Sequence, residues 1–203
     1  MGGSASTDGG LGAVDAMGSP ARYQGVELLG ACDVRTRFTA AAEVFGPQKG
    51  ASDAHIRLLT GRLERLVQVY EERYGVDISA MDRAGAAGGL AGGLAARGAQ
   101  LVDGVDLVAE EVRLDEHLAG ADLVVTGEGR LDATSMAGKV VSGVAAYAAA
   151  AGVPLLVVVG SADPDVVVPG DVLSLVDLFG PDRAQTDTGA CVTEAVTGWL
   201  ARR

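Results

Sequence analysis

Aromatic residues are scarce in this chain of 203 residues: Phe, Trp and Tyr make up 4% of it, whereas hydrophobic residues in total make up 48%. A core with so few rings must rely on Ala, Val and Leu. Small side chains of this kind favour helices packed closely against a sheet. The chain is long enough to bury a sizeable core, as one larger domain or as two small ones.

Cysteine and histidine are also rare, with two residues of each. Cys32 and Cys191 lie far apart in the sequence, which is typical of reduced thiols in a cytoplasmic protein and argues against a disulfide framework. Neither His55 nor His117 has a cysteine or a second histidine at the spacing of metal ligands, so the sequence argues against a zinc site.

Basic residues are outnumbered, 16 against 27 acidic ones, which gives a net charge of -11 and an isoelectric point near 4.5. Such a surface repels nucleic acids and anionic membranes, and we expect neither as a partner. An anionic ligand would need a local positive cluster, which Lys49, Arg130 and Lys139 could supply.

Targeting and membrane signals are not evident. Residues 1–20 have no basic region followed by an apolar run, as a secretory peptide would. The uncharged stretch 140–162 is interrupted by Gly152-Val153-Pro154, which argues against a membrane span. We expect a cytoplasmic protein; the sequence does not determine its oligomeric state.

Helical and strand patterns alternate along the chain, which predicts an α/β fold with a parallel sheet and right-handed crossovers. Residues 52–74 carry apolar residues at helical spacing, with Ser52 as the predicted N-cap and Gly75 just past the end. Further helices are predicted at 88–97, 111–118 and 188–202, and strands at 100–102, 122–126, 155–159 and 173–178.

The segment after the strand 122–126 combines flexible backbone with charge. Gly127, Glu128, Gly129, Arg130 and Asp132 follow one another there. In open α/β sheets ligands bind outside the carboxyl ends of the strands, so we predict a loop that forms a binding site. The alternatives are an ordinary glycine-rich turn and a structural network of salt bridges.

Lys139 is predicted to stand where the next helix begins, beside unpaired backbone N–H groups that favour an anion such as phosphate. A Walker A loop is excluded, because Ala133 and Val140 occupy positions that require Gly and Ser or Thr. A dinucleotide fingerprint is excluded as well, because Asp132 replaces its third glycine.

Five segments occur in an order that resembles the bacterial glycerate kinase family of the two-domain type without a P-loop. They are GGSASTDGG at 2–10, ACDV at 31–34, VFGPQKGA at 44–51, GAAGGL at 85–90, and GEGRLD at 127–132 followed by Gly138-Lys139. The resemblance implies a partial α/β domain over residues 1–103 and a Rossmann-like domain over 104–203. We therefore expect an α/β fold, with a parallel-sheet, Rossmann-like C-terminal half and remnants of a second α/β domain.

The resemblance implies an ATP-dependent kinase that phosphorylates D-glycerate to phosphoglycerate with Mg²⁺. From charge and position we predict that Asp8 or Asp33 acts on the acceptor hydroxyl, and that Glu128 or Asp132 holds magnesium, with Asp132 also a candidate catalytic group. The residues predicted to bind phosphate or the glycerate carboxylate are Ser4, Lys49, Gly127, Gly129, Arg130 and Lys139.

Simpler roles compete with these. Asp8 and Asp33 could each form a turn with their own backbone, and Lys49 could lie on a solvated turn. The family's N-terminal third, with its APDSFK-like and DGGEGT-like loops, is not found ahead of residue 2. Two alternatives to the kinase therefore stay open: a truncated, non-catalytic remnant, and a small-anion-binding α/β protein.

Overall fold

The computed structural model describes residues 1–133, 135 and 140–203, which form two compact units. Unit 1 comprises Met1–Leu107 and unit 2 comprises Val108–Arg203. Both units combine helices with parallel strands, so the predicted α/β fold with parallel sheets is confirmed. Over the described ranges, no helix combines the length and the hydropathy needed to cross a membrane.

Unit 1 pairs two short parallel strands and surrounds them with helices. The register places Leu29 opposite Gln100 and Cys32 opposite Asp103, so both strands end at the same edge. The regular elements are, in chain order, α1 (Leu11–Met17), β1 (Leu29–Cys32), α2 (Ala41–Phe45), α3 (Asp53–Tyr74), α4 (Leu90–Ala96), β2 (Gln100–Asp103) and α5 (Gly104–Glu111), whose last residues belong to unit 2.

Helix α3 confirms the prediction for residues 52–74. The backbone N–H of His55 donates to Ser52 Oγ (3.4 Å), and Gly75 ends the helix with a φ of 72°. The inner face of α3 buries Leu63 and Tyr70 completely, among alanines and Phe38. The core of unit 1 is thus built mostly from small side chains around two rings.

The GAAGG segment brings two loops of unit 1 into contact. Ala87, Gly88 and Gly89 have successive φ values of 53°, 68° and 93° ahead of α4. A Cβ at Gly88 would overlap the carbonyl oxygen of Ser6, so only glycine permits this approach. The N–H of Gly9 also donates to Gly88 O (3.0 Å). The glycine-rich start of the chain therefore lies against the GAAGG turn.

Unit 2 contains a three-stranded parallel sheet in the order β3-β4-β5. Val124 lies opposite Leu155, and Leu156 lies opposite Asp171. The remaining elements are α6 (Leu114–Leu118), β3 (Val124–Leu131), α7 (Val140–Ala151), β4 (Leu155–Ala162), β5 (Asp171–Ser174), α8 (Leu175–Phe179), α9 (Pro181–Thr186) and α10 (Thr188–Leu200).

The central strand β4 is covered on both faces. Leu155, Val157 and Val159 pack in one cluster with α7. Val158 joins a second cluster formed by α8, α9 and α10. This arrangement explains the continuous apolar run of β4, since a parallel strand with helices on both faces has no polar side.

Two predictions about the strands of unit 2 are wrong. The residues predicted to form a loop after position 126 belong to β3, which runs on to Leu131 beside β4. A Cβ at Gly127 would overlap Val158 O, so glycine here serves close strand packing. The predicted strand 173–178 ends at Ser174, whose Oγ accepts from the N–H of Asp177 (3.4 Å) and starts α8.

The predicted helix at 111–118 is divided in the structure. Helix α5 ends at Glu111, and α6 begins at Leu114. Arg113 between them has a left-handed φ of 54°, which no continuous helix contains. The predicted helices at 88–97 and 188–202 are present as α4 and α10, each with slightly shorter bounds.

Candidate functional site

Lys49 holds the glycine-rich start of the chain in place. Its ammonium donates to Ser4 Oγ (3.0 Å), to the carbonyl oxygen of Ser6 (2.6 Å) and to Thr7 Oγ1 (3.3 Å). Lys49 lies on a one-turn 3₁₀ helix that ends at Gly50, with a φ of 81°. Burial lowers the pKa of Lys49, and the nearby Asp8 carboxylate opposes this effect. The structure thus brings Ser4, Asp8 and Lys49 together.

Asp8 makes the turn that its sequence context suggested. The N–H of Gly10 donates to Asp8 Oδ1 (3.1 Å), and the N–H of Leu11 approaches Asp8 O (3.4 Å) as α1 begins. This turn is enough to explain an aspartate at position 8, even if the residue binds no ligand. A role of Asp8 toward an acceptor hydroxyl stays a prediction.

A small pocket is lined in part by Lys49. Its volume is about 120 Å³, and Ser4, Lys49, Gln48 and the backbone of several glycines line it. Val34 and Phe45 form an apolar part of the pocket wall. The predicted residues Ser4 and Lys49 therefore share one concave surface.

Asp33 lies directly after β1, at the edge where β2 also ends. Its side chain is exposed and has no hydrogen bond to any residue that the structure describes. A Cβ at Gly104 would overlap Asp33 Oδ1, so the carboxylate rests against the backbone that opens α5. Asp33 is therefore available to a ligand, and the alternative turn made by its own side chain is not seen.

Next to Asp33, one carboxylate is shared by two arginines. Asp103 Oδ2 accepts from Arg83 Nη2 and from Arg35 Nη2, the latter at 3.4 Å. Arg83 is the buried partner, with its side chain 14% exposed, whereas that of Arg35 is 61% exposed. Charges of both signs thus meet at the carboxyl edge of β1 and β2.

The corresponding edge of unit 2 is formed by β3 and β4. Arg130 Nη2 donates to Asp163 Oδ1 (3.0 Å), and Asp163 follows β4 directly. The N–H of Asp163 bonds Leu131 O (2.9 Å), which continues the ladder by one residue. Glu128 precedes Arg130 by two positions and so lies on the same face of the strand. Gly127 and Gly129 are part of the same strand.

Asp132 and Ser135 form a reciprocal turn at the end of β3. The N–H of Ser135 donates to Asp132 Oδ1 (3.2 Å), and the N–H of Asp132 donates to Ser135 Oγ (3.1 Å). Ser135 is buried and also approaches Arg130 O (3.3 Å). Asp132 has further interactions of its own. Lys139, the other predicted phosphate contact, lies outside the described residues.

Glu128 supplies the observation that bears on magnesium. Its Oε1 is buried and has no hydrogen-bond partner within the described ranges. Those ranges contain no group of three or more potential protein ligands for a metal. Mg²⁺ commonly takes one or two carboxylates and completes its shell with water and substrate phosphates. The residues therefore fit a magnesium bound with a nucleotide and do not form a cage of their own.

Sequence reasoning missed the partners of the predicted residues. They are Ser6 and Thr7 for Lys49, Arg35, Arg83 and Asp103 beside Asp33, and Asp163 for Arg130. Asp163 could have been predicted from the sequence, because it is a polar residue that follows the apolar run of β4. That strand pairs with β3, which carries Arg130. The other contacts depend on loops that meet only in the folded chain.

The fold and these side chains define an α/β protein that presents charged groups at the carboxyl ends of parallel strands, the usual ligand position in this class. Within that class, the chain belongs to the glycerate kinase family, which it matches over residues 19–172. This confirms the resemblance on which the sequence prediction depended.

Several relatives support this membership. A glycerate kinase from Halalkalibacterium halodurans is 43% identical over 144 residues, which cover 69% of this chain and 38% of that protein. The glycerate 2-kinase of Escherichia coli is 35% identical over 200 residues, covering 83% of this chain and 52% of that protein. An uncharacterised protein of Mycobacterium bovis is 41% identical over 172 residues, covering 81% and 45%.

A solved structure shares the fold. The crystal structure from Salmonella typhimurium LT2, provisionally assigned as glycerate kinase 2, superposes with a TM-score of 0.72 at 31% sequence identity. The match covers 99% of this chain and 63% of that one. The chain thus spans about half the length of the curated relatives it matches.

Proposed function

We propose that this chain acts in ATP-dependent phosphorylation of D-glycerate, with phosphoglycerate as the product. One observation carries the proposal: the carboxyl edge of β3 and β4 gathers Glu128, Arg130 and Asp163 in a chain of the glycerate kinase family. Phosphoryl transfer requires neutralised phosphate charge, in-line positioning and a carboxylate near the acceptor hydroxyl. The residue types at this edge and in unit 1 suit those requirements.

In the proposed reaction, Arg130 and Lys139 neutralise phosphate oxygens, and the ammonium of Lys49 provides positive charge in unit 1. Asp33 is the better candidate for the acceptor hydroxyl, because Asp8 already accepts a backbone N–H through Oδ1. A carboxylate in that role orients the hydroxyl and takes its proton as the phosphoryl group is transferred. The nucleotide and the hydroxy acid are the proposed small-molecule partners.

Glu128 and Asp132 would hold Mg²⁺ together with the nucleotide phosphates. When bound, the metal would supply positive charge that offsets the negative charge of the phosphate groups. Glu128 Oε1 suits this task because its burial without a hydrogen bond in the described residues leaves a lone pair for a cation. We also propose a cytoplasmic location, since Cys32 and Cys191 are both buried and free.

Asp132→Asn gives the sharpest test, because the amide oxygen can still accept the N–H of Ser135 while the charge is lost. We expect kcat to fall at least about a hundredfold, the scale of a positioned acid–base or metal-holding group. A coupled assay measures ADP formation that depends on D-glycerate. Asp165→Asn is the matched control, since Asp165 is an exposed aspartate that follows β4 in the loop after Asp163.

Activity of Asp132→Asn within a factor of two or three of the unmodified chain would show that Asp132 serves only the turn. ATP binding without any ADP formation that depends on D-glycerate would contradict the proposed reaction for this chain and favour the two non-catalytic alternatives, a truncated remnant or a small-anion-binding protein. Titration calorimetry with ATP and Mg²⁺ measures that binding separately from turnover.

A further inference from the structure

Two carboxylates lie within reach of the guanidinium of Arg130. Glu128 is two residues earlier on β3 and so on the same face of the strand, ~6.6 Å away along it. Asp163 is two residues beyond Ser161, the register partner of Arg130 on β4, which places it diagonally on that face as well. Arg130 contacts Asp163, with Nη2 3.0 Å from Oδ1. The guanidinium is thus held toward the end of β4 and away from Glu128.

The backbone fixes the position of Asp163. Its N–H donates to Leu131 O at 2.9 Å, which extends the ladder between β3 and β4. The ion pair itself is exposed, with 66% of the Arg130 side chain and 42% of the Asp163 side chain accessible. Exposed pairs of this kind contribute little to stability. The contact therefore determines where the guanidinium lies, and the chain should stay folded without it.

Glu128 has different surroundings. Its register partner on β4 is Val159, a core residue that is 1% exposed. Oε1 of Glu128 is buried and has no hydrogen-bond partner in the ranges that the structure describes. A buried carboxylate without partners is costly, and a nearby positive charge offsets that cost. The surroundings of Glu128 therefore favour a cation, either a basic side chain or a bound metal.

Arg130 is the basic residue of β3 and would be that cation in the absence of Asp163. The released guanidinium would turn along the strand and pair with Glu128, because opposite charges attract strongly where water is excluded. An arginine in that place would occupy the oxygen that a metal needs. With Asp163 present, the contact uses one nitrogen of the guanidinium, and its other donors stay available to phosphate.

We propose that Asp163 is a positioning residue for the metal site: by holding Arg130 at the end of β4, it keeps the carboxylate of Glu128 open to a divalent cation. The identity of the cation as Mg²⁺ bound with a nucleotide rests on the proposed function. Asp163 contacts neither the metal nor the nucleotide and acts through Arg130.

Binding of Mn²⁺ in place of Mg²⁺ gives a readout that does not depend on turnover. Water-proton relaxation measures it on the full chain, saturated with an ATP analogue that has nitrogen between its β- and γ-phosphates. We expect Asp163→Asn to weaken Mn²⁺ binding about tenfold or more, the usual effect of losing a residue that orients a metal ligand. Asp163→Glu keeps the charge and should restore most of the affinity. Asp165→Asn is the matched control and should bind Mn²⁺ as the unmodified chain does, since Asp165 is exposed and lies further along the same loop.

A merely structural role of Asp163 would give a different pattern. In an Arg130→Gln background there is no guanidinium to release, so Asp163→Asn should change the Mn²⁺ affinity by less than about twofold. Equal losses with and without Arg130 would overturn the proposal, as would an unchanged affinity in the single variant. Far-UV circular dichroism monitors the fold; an unfolded Asp163→Asn chain would contradict the surface character of the pair and also overturn the proposal.

Glu128→Gln separates this proposal from the proposed function. If this variant binds Mn²⁺ as tightly as the unmodified chain, Glu128 is not a ligand and the inference about Asp163 fails, whatever the assay for ADP shows. If Mn²⁺ binding follows the expected pattern without any ADP formation that depends on D-glycerate, the inference stands and the proposed reaction fails.

Discussion

The two ion pairs of Asp103 allow a test of how strongly burial determines the contribution of an ion pair to the stability of unit 1. Its Oδ2 accepts from Arg83 and from Arg35, but the two arginines differ in exposure, 14% against 61% of the side chain. Asp103 itself is 20% exposed. Arg83 Nε is buried and lacks a hydrogen bond to the described residues, so this guanidinium depends strongly on Asp103.

The expected magnitudes follow from these exposures. Asp103→Asn keeps the shape but leaves the buried Arg83 without its anion, and removing one partner of a buried pair costs ~3–5 kcal/mol. Because this pair is only partly buried, we expect a loss of about 2–3 kcal/mol in the free energy of unfolding. Arg35→Gln removes an exposed partner and should cost under about 1 kcal/mol.

Urea unfolding at pH 7, followed by far-UV circular dichroism, measures both losses. Fluorescence is unsuitable for this purpose, because the single tryptophan, Trp199, lies in unit 2. Raising the salt to 1 M should abolish the effect of Arg35→Gln and leave most of the effect of Asp103→Asn. If Arg35→Gln destabilises the protein as much as Asp103→Asn does, burial does not determine how much each of the two ion pairs contributes to stability.

Two further predictions concern single hydrogen-bonding groups. Tyr70→Phe removes a hydroxyl that donates to the buried Gly9 O at 2.9 Å and should cost about 1–2 kcal/mol in urea unfolding; an unchanged midpoint would contradict this. Hydrogen bonds from Arg203 and Trp199 hold the pKa of Asp171 below its usual value. Its contribution to stability is therefore present above the ordinary pKa of about 3.9 and lost only as the pH falls through the lowered folded-state pKa, so Trp199 emission should titrate below that value. Asp171→Asn should abolish this transition, and its persistence would assign the transition to another group.

Local sequence patterns predicted the helices and strands whose ends are determined by residues at those ends. Helix α3 begins at a serine cap and ends at Gly75 because both signals act on the adjacent backbone. The apolar run of β4 is equally local. Its end also carried the signal for Asp163, since a polar residue directly after a buried parallel strand lies at the ligand edge.

The segment from Gly127 to Arg130 could not be predicted in the same way. Its glycines and charges are typical of a loop, yet it extends β3 because β4 offers a ladder of backbone partners at matching register. A strand of this composition is stabilised by its neighbour and not by its own propensity. Gly127 is required for the close approach of Val158, which is a property of the pair of strands.

The sequence by itself determined the α/β class, the family, and the motifs that carry Ser4, Lys49, Arg130 and Asp132, because periodicity and ordered motifs are written along the chain. Only the tertiary structure decided what these side chains contact. Lys49 meets residues more than forty positions away, and Asp103 meets Arg35 across 68. Such contacts form where loops pack closely against glycines, which have no Cβ. No local pattern in the sequence specifies which loops meet.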